Sequence, residues 1–119
     1  KGLAVDDDAL VLLNTAMMLE DLGHAVLEAT SGDQALQLLE AHPDINLVIT
    51  DQAMPRMTGL ELAAEIGERR PGLPVILASG YADIEEARLL KLPRLAKPFG
   101  QHDLQRVIAR VSETEGSAA

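Results

Sequence analysis

Four short apolar runs in this chain each end in polar side chains suited to a metal ion or a phosphoryl group. Leu3-Ala4-Val5 leads into Asp6-Asp7-Asp8, and Asn46-Leu47-Val48-Ile49-Thr50 ends at Asp51. Val75-Ile76-Leu77-Ala78 is closed by Ser79, and Arg94-Leu95-Ala96 is followed by Lys97-Pro98. Carboxylates suit a hard divalent cation such as Mg²⁺, which takes oxygen ligands and keeps several waters. A phosphoryl group in transfer spreads its charge over its equatorial oxygens, so catalysis is mostly positioning and charge compensation. For a phosphoryl group arriving at Asp51, Mg²⁺, the Lys97 ammonium and the Ser79 hydroxyl could each hold one oxygen. Without a cation, Asp6, Asp7 and Asp51 would repel one another.

Taken singly, these residues say little. An acidic triplet after a strand is often a helix start, and Asp8 is the natural cap. A lone Asp after a strand, or Ser79-Gly80, is commonly a turn. The inference comes from all four runs delivering such groups in order at the same end of a strand. In an open parallel sheet those ends share one edge, where the ligand crevice lies.

The elements that would position them alternate. Strands are predicted near 2–6, 25–29, 46–50, 74–78 and 94–96, and helices near 9–22, 32–41, 59–69, 83–91 and 101–113. Strand-length runs alternating with helix-length segments are the pattern of β/α units and a doubly wound parallel sheet. Gly23 is placed to stop the first helix. Ser31 with Gln34, and Thr58 with Glu61, have the spacing of capping boxes. Pro43 and Pro71 fall just past the second and third helices. Leu47-Val48-Ile49 is continuously apolar, as a central strand covered on both faces should be. The segment 112–119 is small and polar and is expected to fray.

The chain has 119 residues, 47% of them apolar, and a mean hydropathy of +0.07, which fits one globular domain. A net charge of −9 argues against this domain holding nucleic acid by itself. There is no cysteine, so disulfides and thiolate metal sites are excluded. No apolar stretch approaches the ~20 residues of a membrane span, and no signal peptide is visible, so a cytoplasmic location is expected. The start at Lys1, without an initiator Met, suggests a domain cut from a longer protein. His24, His42 and His102 are far apart in sequence and read as surface or cap residues rather than ligands.

Along essentially its whole length the sequence resembles the receiver domains of two-component response regulators. The likeness rests on Val5-Asp6-Asp7-Asp8, on the Asp51-Gln52-Ala53-Met54-Pro55-Arg56-Met57-Thr58-Gly59 segment, on Ser79-Gly80 and on Lys97-Pro98-Phe99. It implies residues 1–119 as one receiver domain with a (βα)5 flavodoxin-like fold and strand order 2-1-3-4-5. It implies Asp51 as phosphoacceptor, charged from a phosphohistidine on a histidine kinase or histidine phosphotransfer protein. Asp7 would bind Mg²⁺ (or Mn²⁺) directly, Asp6 mainly through water, and the Ala53 carbonyl would join Asp51 as a further ligand. Ser79 would be the switch hydroxyl and Lys97 the phosphoryl contact, with Pro55 and Gly59 shaping the loop beside the site.

Two departures from the family pattern stand out. Arg94 occupies the position, three residues before the Lys, where Tyr or Phe is common, which puts the usual hydroxyl–aromatic coupling in doubt. The Ser79–Lys97 segment is about one turn short, so an abbreviated fourth helix and a weakened dimer face are expected. Ala53 offers no side chain to orient an attacking water, so slow self-dephosphorylation is expected. The excised look of the N-terminus favours a receiver carried on a hybrid sensor kinase, or a single-domain relay. Two other functions compete. A degenerate receiver acting as a phosphorylation-independent docking module would not need the intact Asp6, Asp7, Asp51, Ser79 and Lys97. A haloacid-dehalogenase-like phosphatase would place its nucleophile within Asp6–Asp8 and needs a late acidic pair, yet nothing acidic follows Lys97 before Asp103.

Overall fold

The computed structural model describes residues 1–79, 93–96 and 99–118, without the side chains of Ser79, Arg94, Ala96 and residues 112–118. The strands are β1 (Gly2–Val5), β2 (Val26–Ala29), β3 (Leu47–Asp51), β4 (Val75–Ser79) and β5 (Arg94–Ala96). The helices described are α1 (Ala9–Asp21), α2 (Gly32–Ala41), α3 (Gly59–Arg69) and a C-terminal helix (Gln101–Ala118). All strand pairs are parallel, in the order β2-β1-β3-β4-β5, as the family resemblance implies. The predicted helix near 83–91, and with it the abbreviation expected there, lies outside the described residues.

The sheet is buried on both faces, and the period of two along each strand divides the core. Leu3, Val5 and Val48 face one cluster with Ala35, Leu36, Leu39, Leu62 and Ile66 of α2 and α3. Ala4, Leu47, Ile49 and Ile76 face the other, with Leu12 and Leu19 of α1 and Leu104 of the C-terminal helix. With so few aromatics, the core is aliphatic, and β1 and β3 are buried along their whole length. Met54 is buried in the first cluster and Met57 packs against it, where flexible thioether side chains fill irregular gaps.

Local signals explain the helix ends. Asp8 caps α1, its Oδ1 accepting from the Leu10 and Val11 N–H groups at 3.0 and 3.3 Å. Gly23, at φ +97°, ends α1 in a Schellman arrangement: its N–H donates to Glu20 O, and that of His24 to Leu19 O. Thr58 and Glu61 form the reciprocal capping box on α3. At α2 only half of the expected box forms. Ser31 Oγ accepts from the Gln34 N–H, but Gln34 Oε1 reaches past Ser31 to the Thr30 N–H (2.8 Å) and hydroxyl (3.0 Å). Thr30 thus gives both its N–H and its hydroxyl to that one carbonyl oxygen. The C-terminal helix runs past residue 113, to Ala118. That stretch contains no proline, and an interior Gly116 costs only about 1 kcal/mol of helix propensity.

Candidate functional site

The registers put the acidic groups at one height. Val5 pairs with Thr50, so Asp6 and Asp51 each stand one residue beyond a paired position at the C-terminal edge. The period of two sends both toward the α1 side of the sheet, the face of Ala4 and Ile49. Asp6, Asp7 and Asp51 each offer a carboxylate oxygen, all within 4.8 Å of one another. Asp6 and Asp51 are buried and Asp7 is exposed, so the cluster opens to solvent on one side. The Asp8 N–H donates to Asp6 Oδ1 at 2.9 Å, which orients that carboxylate as the chain turns into α1. Hard oxygen donors, partly buried and like-charged, fit a divalent cation that holds a few carboxylates and retains water.

The same edge receives the ends of β4 and β5. Asp51 pairs with Ala78, and Ser79 with Ala96, so the Ser79 backbone stands one step beyond the partner of Asp51. Arg94, at the position where the family commonly has an aromatic, is the first residue of β5. Lys97 follows β5 in sequence and lies outside the described residues. The structure therefore brings Asp6, Asp7 and Asp51 together, sets the Ser79 backbone at their edge, and leaves the Lys97 contact undescribed. Ala53 is exposed, two residues beyond Asp51.

The loop between β3 and α3 is held from several directions. A Cβ on Gly59 would run into the Asp51 carbonyl and would come within 2.7 Å of Leu77 Cδ1, so only glycine lets α3 start this close to β3. Met57 packs against Gly32 at the start of α2, where an added Cβ would lie 2.5 Å from its sulfur. Arg56 takes φ 70°, a left-handed conformation unusual for a non-glycine residue. Gln52 was not singled out from the sequence, yet it is buried and its Oε1 accepts from the Leu60 N–H at 2.8 Å. The available signal was a long amide one residue past Asp51, pointing by the strand period toward the α3 side.

A doubly wound parallel sheet with an acidic cluster at its C-terminal edge defines the class. Residues 3–109 match the response regulator receiver domain family, and the chain belongs to it. The receiver domain is a signalling module of two-component systems. Among curated relatives, sensor kinase CckA of Brucella abortus is 32% identical over 118 residues, covering 95% of this chain and 12% of its own length. Transcriptional regulatory protein PdtaR of Mycobacterium tuberculosis is 36% identical over 108 residues, covering 86% of this chain and 51% of its own. This chain therefore spans only part of those proteins. A response regulator receiver domain protein from Clostridium thermocellum superposes with a TM-score of 0.91 at 29% identity, over 99% of this chain and 98% of that one. The receiver domain of NtrX from Brucella abortus gives 0.88 at 32% identity, over 96% of this chain and 99% of that one. Among the described residues, no helix is long and apolar enough to cross a membrane.

Proposed function

We propose that this receiver domain accepts a phosphoryl group on Asp51 from a phosphohistidine of a histidine kinase or histidine phosphotransfer protein, and switches conformation in response. The observation that carries the reading is the convergence of Asp6, Asp7 and Asp51 at one strand edge. Those carboxylates, with the Ala53 carbonyl, would hold Mg²⁺ or Mn²⁺, which supplies positive charge against the cluster and the incoming phosphoryl oxygens. An Asp51 carboxylate oxygen attacks phosphorus in line. The P–N bond to the donor imidazole breaks as the P–O bond forms, and the imidazole leaves with the electron pair and takes up a proton. Lys97 compensates charge on the phosphoryl oxygens, and the Ser79 hydroxyl moves onto one of them as the switch contact.

The chain acts on itself rather than turning over a separate substrate. With Ala53 providing no side chain to hold a water, the phosphorylated form is expected to outlast the scale of seconds. Leu10, Leu13 and Met17 are exposed on α1 at helical spacing beside the site, an apolar stripe suited to the donor protein. The domain would work in the cytoplasm, within a hybrid kinase or as a single-domain relay, and the likeness to CckA supports the first.

The test is intact-mass spectrometry after incubation with acetyl phosphate, with and without Mg²⁺, on wild type and Asp51→Asn. A Mg²⁺-dependent phosphoryl adduct absent from the variant is expected. No adduct under any condition would replace the acceptor reading with that of a docking module.

A further inference from the structure

We propose that Gln52 is a positioning residue of the metal site, fixing the loop that presents the Ala53 carbonyl. The inference rests on the reading of that carbonyl as a ligand. Gln52 is 8% exposed, and each of its backbone and side-chain groups that hydrogen-bonds here ties a different part of the site. Its N–H donates to Ala78 O at 3.1 Å, extending the β3–β4 register one residue beyond Asp51. Its carbonyl accepts from the Met54 N–H at 3.0 Å and the Gly59 N–H at 3.1 Å, drawing the two ends of the loop together. Its Oε1 accepts from the Leu60 N–H at 2.8 Å, across eight residues of chain.

The first turn of any α-helix leaves N–H groups without intrahelical partners. In α3, Gln52 takes those of Gly59 and Leu60, and Thr58 Oγ1 takes that of Glu61. The start of α3 is thus bolted to the residue next to Asp51 rather than left to solvent. Ala53 lies between Gln52 and Met54, so its carbonyl direction follows from the bonds on either side. Removing the Oε1 acceptor frees Leu60, loosens the closure of the loop and lets the Ala53 peptide turn.

The test is Mg²⁺ binding by isothermal titration calorimetry on the whole chain, backed by the Mg²⁺ dependence of phosphorylation by acetyl phosphate. Gln52→Met keeps length and bulk but has no comparable acceptor. Gln52→Asn keeps the amide but is one methylene too short, and serves if the first variant does not fold. Either is expected to weaken Mg²⁺ about tenfold, the scale of outer-shell losses at metal sites. The maximal phosphorylation rate at saturating Mg²⁺ should stay within about twofold, since the reacting groups are untouched. Ile66→Val, a core change away from the site, controls for stability alone and should leave Mg²⁺ affinity unchanged. Wild-type affinity in the Gln52 variants, or an equal loss in Ile66→Val, overturns the inference. Failure of wild type itself to bind Mg²⁺ would instead remove the metal reading, and this inference with it.

Discussion

At the C-terminal edge of the sheet, Asp6, Asp7 and Asp51 bring like charges within 4.8 Å of one another. At the opposite edge, opposite charges and dipoles meet. Lys1 Nζ lies 3.3 Å from Asp44, and Arg70 Nη2 donates to the Pro43 and Ile45 carbonyls at 3.0 and 2.6 Å. Arg69 reaches Glu40 and Glu65 nearby. Both edges carry a loop held by one long side chain: Gln52 grips an amide of α3, and Arg70 grips carbonyls between α2 and β3. Arg70 braces the start of β3, whereas Gln52 braces the β3–α3 loop beside the carboxylate cluster. The comparison teaches that the loop at each edge is fixed by hydrogen bonds to backbone groups, while the C-terminal edge also gathers three carboxylates within reach of a single ion.

The sharpest way to break this difference is at Gly59. Gly59→Ala drives a Cβ into the Asp51 backbone, which cannot yield as a side chain would. A loss of about 3 kcal/mol is expected, the upper range for overpacking, measured by urea denaturation, together with loss of Mg²⁺ binding. Arg70→Met should separate the edges. It should cost about 1.5 kcal/mol, at the low end for bonds to a charged donor, and leave Mg²⁺ affinity unchanged. The low end applies because Arg70 Nη1 is buried with no hydrogen-bond partner among the described residues, a cost the substitution removes.

Asp7→Asn should do the reverse. Removing one of three carboxylates that lie within 4.8 Å of one another should raise the stability of the metal-free protein slightly at low salt, while Mg²⁺ binds more weakly. The gain should shrink as NaCl is added, which thermal melts at two ionic strengths would show. Asp103 offers the smallest effect. The Gly100 N–H, then Arg106, hold its carboxyl below the usual value of 3.8. A depressed folded pKa gives stability present above the unfolded pKa and lost as pH falls through the folded one. Asp103→Asn should therefore flatten the acid limb of a melting-temperature profile slightly, below about pH 4.

Much of this was legible in the chain. The strands were readable because each apolar run is bounded by a polar residue, and the acidic cluster because parallel strands must present those residues on one edge. Asp8, Gly23 and the Thr58–Glu61 pair announced helix ends through side chains that act within a few residues. What escaped depends on where the chain returns. Gln52 matters because α3 comes back eight residues later, and Arg70 because it meets a loop that is 25 residues away at Ile45. The left-handed backbone at Arg56 carries no glycine to signal it, and the reach of Gln34 to Thr30 turns on the geometry of a single turn. The Lys97 side chain and the segment near 83–91 lie outside the described residues.

The most direct test of the central claim is to locate the phosphoryl group. Protein treated with acetyl phosphate and Mg²⁺ would be reduced with borohydride, which converts an aspartyl phosphate to homoserine, then digested and sequenced by tandem mass spectrometry. Homoserine at position 51 alone is the predicted result. Homoserine within 6–8 would move the nucleophile to the first strand and contradict the account.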